Sequence, residues 1–130
     1  MTGNYGSKQY KQMSVKTANR GQILIMLYEA AIQNVKKATI AIEGKNFSKK
    51  GAAIGKAHDI INELLNTLDF EAGGNIARDL ERLYNFIIEQ LVQANVENSI
   101  EKLQSIQRIL ETLLGAWKEA VSQVNKGIDK

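Results

Sequence analysis

The sequence predicts an all-α protein: an antiparallel up-down four-helix bundle with a mobile N-terminal arm and a frayed C-terminal tail. Three observations carry that expectation. Proline is absent from all 130 residues, so no proline breaks a helix. Apolar residues recur at three- and four-residue steps in four segments of about 20 to 26 residues. The links between segments are short, which makes sequential helices antiparallel neighbours.

Residues 1–19 are polar, and Tyr5, Tyr10, Met13 and Val15 follow no sustained helical period. They predict a flexible arm ahead of a helical domain over 20–125. Asn19 reads as an N-cap, with Gln22 three residues later where a capping box wants its partner. The first helix is expected over 20–43, with Ile23, Leu27, Ala30 or Ala31, Val35, Ala38 and Ile42 as its apolar stripe. Gly44 predicts its left-handed C-cap. The second helix is expected over 48–68, striped by Ala53, Ala57, Ile60, Ile61, Leu64, Leu65 and Leu68, with Gly51 and Gly55 weakening its first turns.

Gly73-Gly74 marks the next break, and the third helix is expected from Gly74 or Asn75 to Ala94. Asn98 predicts the N-cap of the fourth helix, with Glu101 completing a box. That helix carries a seam of Leu103, Ile106, Leu110, Leu113, Trp117, Val121 and Val124, with Trp117 read as a core anchor. Residues 126–130 are expected to fray.

Composition removes several function classes. There is no cysteine, which excludes disulfides, zinc–thiolate sites and iron–sulfur ligation and fits a reducing cytosol. No apolar run is long enough to span a membrane, and the first residues lack the apolar core of a signal peptide. His58 is the single histidine, and Gly55 stands where a Glu-x-x-His metal pair needs its carboxylate. No metal, cofactor or catalytic residue is therefore expected, and no enzyme. Gly73-Gly74 follows no strand and lacks the lysine of a phosphate loop.

Charge is uneven: residues 1–56 hold ten Lys or Arg against two acids, and residues 57–130 hold seven against twelve. A basic half of this kind is a solvated surface, or it meets an acidic partner or nucleic acid. The aromatic interleaving of nucleic-acid readers is missing, so neither nucleic acid nor membrane is an expected partner.

The third helix is apolar on too many sides for one core seam, so it is expected either to be central in the bundle or to lie against a second apolar surface, such as a partner's. Leu80, Leu83, Ile87 and Leu91 are assigned to the core, and Ile76, Tyr84, Ile88 and Val92 to an outer face. Ile23 to Tyr28 places six apolar residues in a row on the first helix. Ile25 and Met26 are expected to leave its core face, and Tyr28 joins them as a candidate contact. Asn95 reads as a cap, or as a polar group fixing the register of an extended peptide.

These residues carry a resemblance. Tyr10 in the arm, Thr17-Ala18-Asn19-Arg20, Leu27-Tyr28-Glu29-Ala30-Ala31, Leu68-Asp69 with Glu71, Gly73-Gly74, Ile76-Ala77, Leu83-Tyr84, Ala94-Asn95 and Ala116-Trp117-Lys118 stand in an order and spacing similar to one family. The chain resembles the flagellin-specific export chaperones of bacterial flagellar secretion, the FliS family, from about Tyr10 to Ala120. It departs from them in lacking proline after the first cap, in Glu29 and Ala30 for Asp and Gly, and in Asn75 for a glutamate.

The resemblance implies a cytoplasmic chaperone without ATP chemistry. It would bind the disordered C-terminal segment of flagellin, prevent premature polymerisation and deliver it to the flagellar type III export apparatus. An export-gate component, an anti-sigma factor or a co-chaperone would be further partners. The expected client contacts are Tyr10, Ile25, Met26, Tyr28, Ile76, Tyr84, Ile88, Val92 and Asn95. Tyr10 and Met13 are expected to plug the groove in the free protein. The competing reading is a helical secretion chaperone or adaptor for a different client.

Overall fold

The computed structural model of the chain describes the backbone of residues 5–128 and the side chains of residues 20–126. Four helices follow in order: α1 Tyr5–Glu43, α2 Phe47–Asn66, α3 Phe70–Glu97 and α4 Ile100–Ile128. No strand occurs among the described residues. α1 packs on α2 and α4, and α3 packs on the same two helices. The helices thus form a closed ring, and the short links make neighbours antiparallel, as the sequence predicts.

The core runs down the middle of this ring. Tyr28, Val35, Ile61, Leu64, Tyr84, Ile87, Leu91, Leu103, Ile106 and Leu110 are its largest fully buried side chains. Each large aliphatic among them contributes about 1.5–3 kcal/mol by leaving water. Leu80, Leu83, Leu113 and Trp117 pack against its edge. Gly21 sits where α1 passes closest to α4: a Cβ there would come within 2.6 Å of Val121 Cγ2. Valine is stiff at this branch, so the backbone approach itself requires glycine.

The helix ends depart from expectation in ways that matter for the site. α1 is already helical at Tyr5 rather than starting near Arg20, so Asn19 lies inside it and is not an N-cap. The side chains of residues 1–19, Tyr10 and Met13 among them, lie outside the described residues, and with them the expected plug. The fraying expected over 126–130 does not begin there: α4 continues as helix to Ile128, and residues 129–130 lie outside the described ones.

α1 closes on Lys45 rather than Gly44. Lys45 adopts φ 57°, while its N–H bonds to the Ile42 carbonyl and that of Asn46 to the Ala41 carbonyl. This is a Schellman closure with lysine at the position that usually takes glycine. Asn46 then caps α2 by accepting from the Lys49 N–H at 3.1 Å.

Asn98 terminates α3 in the left-handed conformation instead of starting α4. Ser99 caps α4, its Oγ accepting from the Lys102 N–H at 3.2 Å. Lys50 ties the first turn of α2 to the same corner. Its ammonium donates to the Asn95 carbonyl at 2.8 Å and to Asn98 Oδ1 at 2.6 Å, and it lies 5.4 Å from the centre of the Phe47 ring.

Candidate functional site

At the end of the bundle where α2 finishes and α3 begins, the chain turns twice within a few residues. Thr67 closes α2, its hydroxyl donating to the Leu64 carbonyl at 2.7 Å. Asp69 caps the next turn by accepting from the Glu71 and Ala72 N–H groups at 3.1 and 3.0 Å. That turn is not collinear with the rest of α3, because Gly74 breaks it with φ 50° and ψ −123°. Only glycine enters that region without strain. The Gly73-Gly74 break expected from sequence is therefore present as a kink inside α3. It sets Ala72 and Gly73 against the groove at this end of the bundle.

The kink leaves an apolar groove of about 330 Å³. Leu24 of α1, Leu68, the Gly73 to Leu80 face of α3 and Trp117 of α4 line it, with Tyr84 contributing from a buried position. A second hollow of about 370 Å³ continues it through Leu24 and Thr67 to Ile23, Leu27 and Arg20. Ile76 stands on the rim with 70 % of its surface exposed, and Ile23 flanks the extension at 56 %. Exposed large aliphatics beside an apolar groove mark an interaction surface.

The groove floor is polar at one point. Tyr28 and Tyr84 hydrogen-bond through their hydroxyls, with ring centres 6.4 Å apart and planes tilted by 54°. Burial raises the pKa of both phenols; the neighbouring Tyr84 hydroxyl and the Trp117 side chain offset part of the rise at Tyr28, whereas the Tyr28 hydroxyl adds to it at Tyr84. The Trp117 Nε1–H is buried beside this pair, near enough to the Tyr28 hydroxyl to favour its phenolate but without a well-formed hydrogen bond to any acceptor among the described residues. A buried donor without a well-formed partner costs about 1–3 kcal/mol.

Of the residues predicted to touch a partner, the groove gathers Ile76 and Tyr84. Four positions need correction. Tyr84 is buried rather than outward, because its hydroxyl pairs with Tyr28 in the core. Tyr28 is fully buried for the same reason. Ile25 faces inward, and Ile23, expected in the core stripe, faces out. The six-residue apolar run offers both phases, and the Ile25, Tyr28, Ile32, Val35 stripe is the one that meets α2 and α4.

Met26 and Val92 are exposed, and Ile88 is half-buried against the core. Val92 and Asn95 stand two to three turns up α3 from Tyr84, about 12 and 17 Å away at the helical rise, outside the groove. Asn95 contributes its carbonyl to Lys50. Leu24, Thr67, Leu68 and Trp117 join the site without having been expected there from sequence. The lone tryptophan on an amphipathic helix is the available signal for Trp117.

No chemistry accompanies the groove. His58 is half-buried on α2, with the Asn62 amide 3.0 Å from Nδ1. Among the described residues no group of three His, Asp or Glu side chains is placed to hold a metal ion. No helix of the described residues is long and apolar enough to cross a membrane.

Comparison with known proteins follows the same line. A family model described as "Flagellar protein FliS" matches residues 2–124. The chain is 36 % identical over 119 residues to the flagellar secretion chaperone FliS of Vibrio cholerae, covering 88 % of each chain. It is 35 % identical over 119 residues to that of Salmonella typhimurium, again 88 % of each. To the flagellar secretion chaperone FliSB of Pseudomonas aeruginosa it is 34 % identical over 114 residues, 85 % of this chain and 90 % of the relative.

Proposed function

Because the chain belongs to the FliS family, one of flagellar secretion chaperones and not of enzymes, we propose that it is a cytoplasmic export chaperone whose client is the disordered C-terminal segment of flagellin. It keeps that segment from polymerising prematurely and delivers it to the flagellar type III export apparatus. An export-gate component, an anti-sigma factor or a co-chaperone would receive or share the loaded protein.

The observation that supports this reading best is the end groove with its unpartnered Trp117 N–H. A client that orders on binding loses chain entropy, which only a large apolar contact offsets. Ile76, Leu24, Leu68 and Leu80 supply such a contact. A backbone carbonyl of an extended segment supplies the acceptor that Trp117 lacks. Residues 1–16 complete the proposal as a competing arm: unwinding of the first turns of α1, which start at Tyr5, would bring Tyr10 and Met13 to the groove and lower apparent client affinity by the covered fraction.

Calorimetric titration with the C-terminal segment of flagellin from the same organism tests the reading. One-to-one binding with a large negative heat-capacity change is expected. Deletion of residues 1–16 is expected to speed association. Absence of binding to the folded protein would assign this chaperone a different client.

A further inference from the structure

At the opposite end of the bundle lies a larger groove, about 600 Å³, between the last turns of α1 and the first turns of α2. Its two walls are single helix faces. Lys37, Ile40 and Ala41 follow one another at helical spacing on α1, with Gly44 just past its end, and Lys49, Ala52, Ala53 and Lys56 do so on α2. The floor is small and apolar, with Lys37 on the α1 wall and Lys49 and Lys56 at either end of the α2 wall. Ile40 projects from it with 69 % of its surface exposed.

The lining contains three lysines and no carboxylate. Among the described residues the ion pairs are Arg82 with Asp79 and Lys102 with Glu97, so none of these lysines is neutralised within the fold. Between Asn34 and Lys56, the stretch that forms the groove, the sequence holds six lysines, Lys50 among them already hydrogen-bonded to the α3 end, against one acid, Glu43. The groove therefore combines an apolar floor with an uncompensated positive rim.

We infer that this groove docks an acidic amphipathic helix of another protein. Aliphatic side chains of that helix would cover Ile40 and the alanine floor, and carboxylates on its flanks would meet Lys37, Lys49 and Lys56. The small side chains at Ala41, Gly44, Ala52 and Ala53 let a helix backbone approach closely. A nucleic acid fits less well: the lining holds no aromatic side chain for base stacking and no arginine fork for phosphate. Along α1, Leu24 in the end groove and Lys37 here are separated by about 20 Å at the helical rise, so the two grooves can be filled together.

The test uses the full-length protein and a fluorescent synthetic helix of about 18 residues, with leucines on one face and glutamates on both flanks. Polarisation titration is expected to show saturable binding that weakens, without vanishing, as salt rises. The triple variant K37E, K49E, K56E and the single variant Ile40→Asp each reduce affinity roughly tenfold or more, since like charges repel and the floor is lost. Both variants keep the unfolding midpoint and the binding of the end-groove client. Three results would overturn the inference: unchanged affinity in the triple variant, equal binding of a peptide with its leucines replaced by alanine, or tighter binding of a single-stranded oligonucleotide displaced by the same substitutions.

Discussion

The hydroxyls of Tyr28 and Tyr84 hydrogen-bond to each other at the centre of the bundle, joining α1 to α3 across a diagonal that their backbones do not bridge. Each phenol is buried, so each depends on the other for a partner. Tyr84 of the pair also lines the end groove together with Trp117 and Leu80. The pair thereby couples the packing of the two long helices to the shape of the surface they expose.

Tyr28→Phe or Tyr84→Phe alone leaves one buried hydroxyl unpaired and should destabilise the fold by about 1–3 kcal/mol. Removing both hydroxyls removes the orphan as well. The double variant should therefore be less destabilised than the sum of the singles, a coupling measurable by urea unfolding in a double-mutant cycle. Additive losses would show that the two hydroxyls act independently.

The same pair sets an alkaline limit. Both folded-state pKa values lie above the ordinary tyrosine value of 10.0, chiefly because burial disfavours the phenolate. The unfolded chain releases these protons first as pH rises, so the folded state holds more protons above that value. Their contribution is complete below pH 10 and is lost progressively above it. Urea midpoints between pH 9 and pH 11 should fall more steeply for the native protein than for the double phenylalanine variant. Lysine titration is common to both proteins and cancels in the comparison.

Lys50 is the buried cation of the opposite end, and its two hydrogen bonds close the α2 start onto the α3 terminus. Lys50→Met preserves the stem but leaves the Asn95 carbonyl and the Asn98 side chain without their donor. A loss of about 1.5–3 kcal/mol is expected, the range for hydrogen bonds to a charged group. Thermal unfolding checks it. A loss below about 0.5 kcal/mol would mean that water replaces the ammonium without cost.

The helical periods of Leu103, Ile106 and Leu110, and of Ala57, Ile61 and Leu64, can be read directly because each stripe has one apolar phase. The run from Ile23 to Tyr28 offers two, and only the positions of α2 and α4 decide between Ile23 and Ile25. Tyr84 reads as an outer residue because a phenol resembles a surface side chain in sequence; its partner, Tyr28, lies 56 positions away. Gly73-Gly74 is legible as a break but not as a kink, since the Asp69 cap restarts the helix before it. The groove itself is invisible in sequence, because Leu24, Leu68, Ile76 and Trp117 come from four separate segments that only the ring closure brings together.

Gly74 should be indispensable to that groove. Its backbone sits at φ 50° and ψ −123°, yet a Cβ added there would meet no atom within 4 Å. The obstacle to substitution is therefore conformational and not steric crowding. Gly74→Ala should cost about 1–3 kcal/mol or straighten the start of α3. In the second case Ala72 and Gly73 leave the groove and client affinity drops with little change in stability. Unfolding and calorimetric titration of the one variant separate the two outcomes.

Trp117 and Ile76 make the sharpest test of the groove, because their effects on folding and on binding should diverge. Ile76 is mostly exposed, so Ile76→Asp should leave stability within about 0.5 kcal/mol while weakening client binding at least tenfold. Trp117→Phe deletes an N–H that has no acceptor in the free protein. Relief of that orphan offsets part of the lost packing, so the fold should be destabilised by less than about 2 kcal/mol. Client affinity should nevertheless fall by about 1–3 kcal/mol, between roughly fivefold and a hundredfold, because the bound segment loses its hydrogen-bond donor. Equal affinities for native protein and Trp117→Phe would place the client's acceptor elsewhere and leave the groove an apolar contact alone.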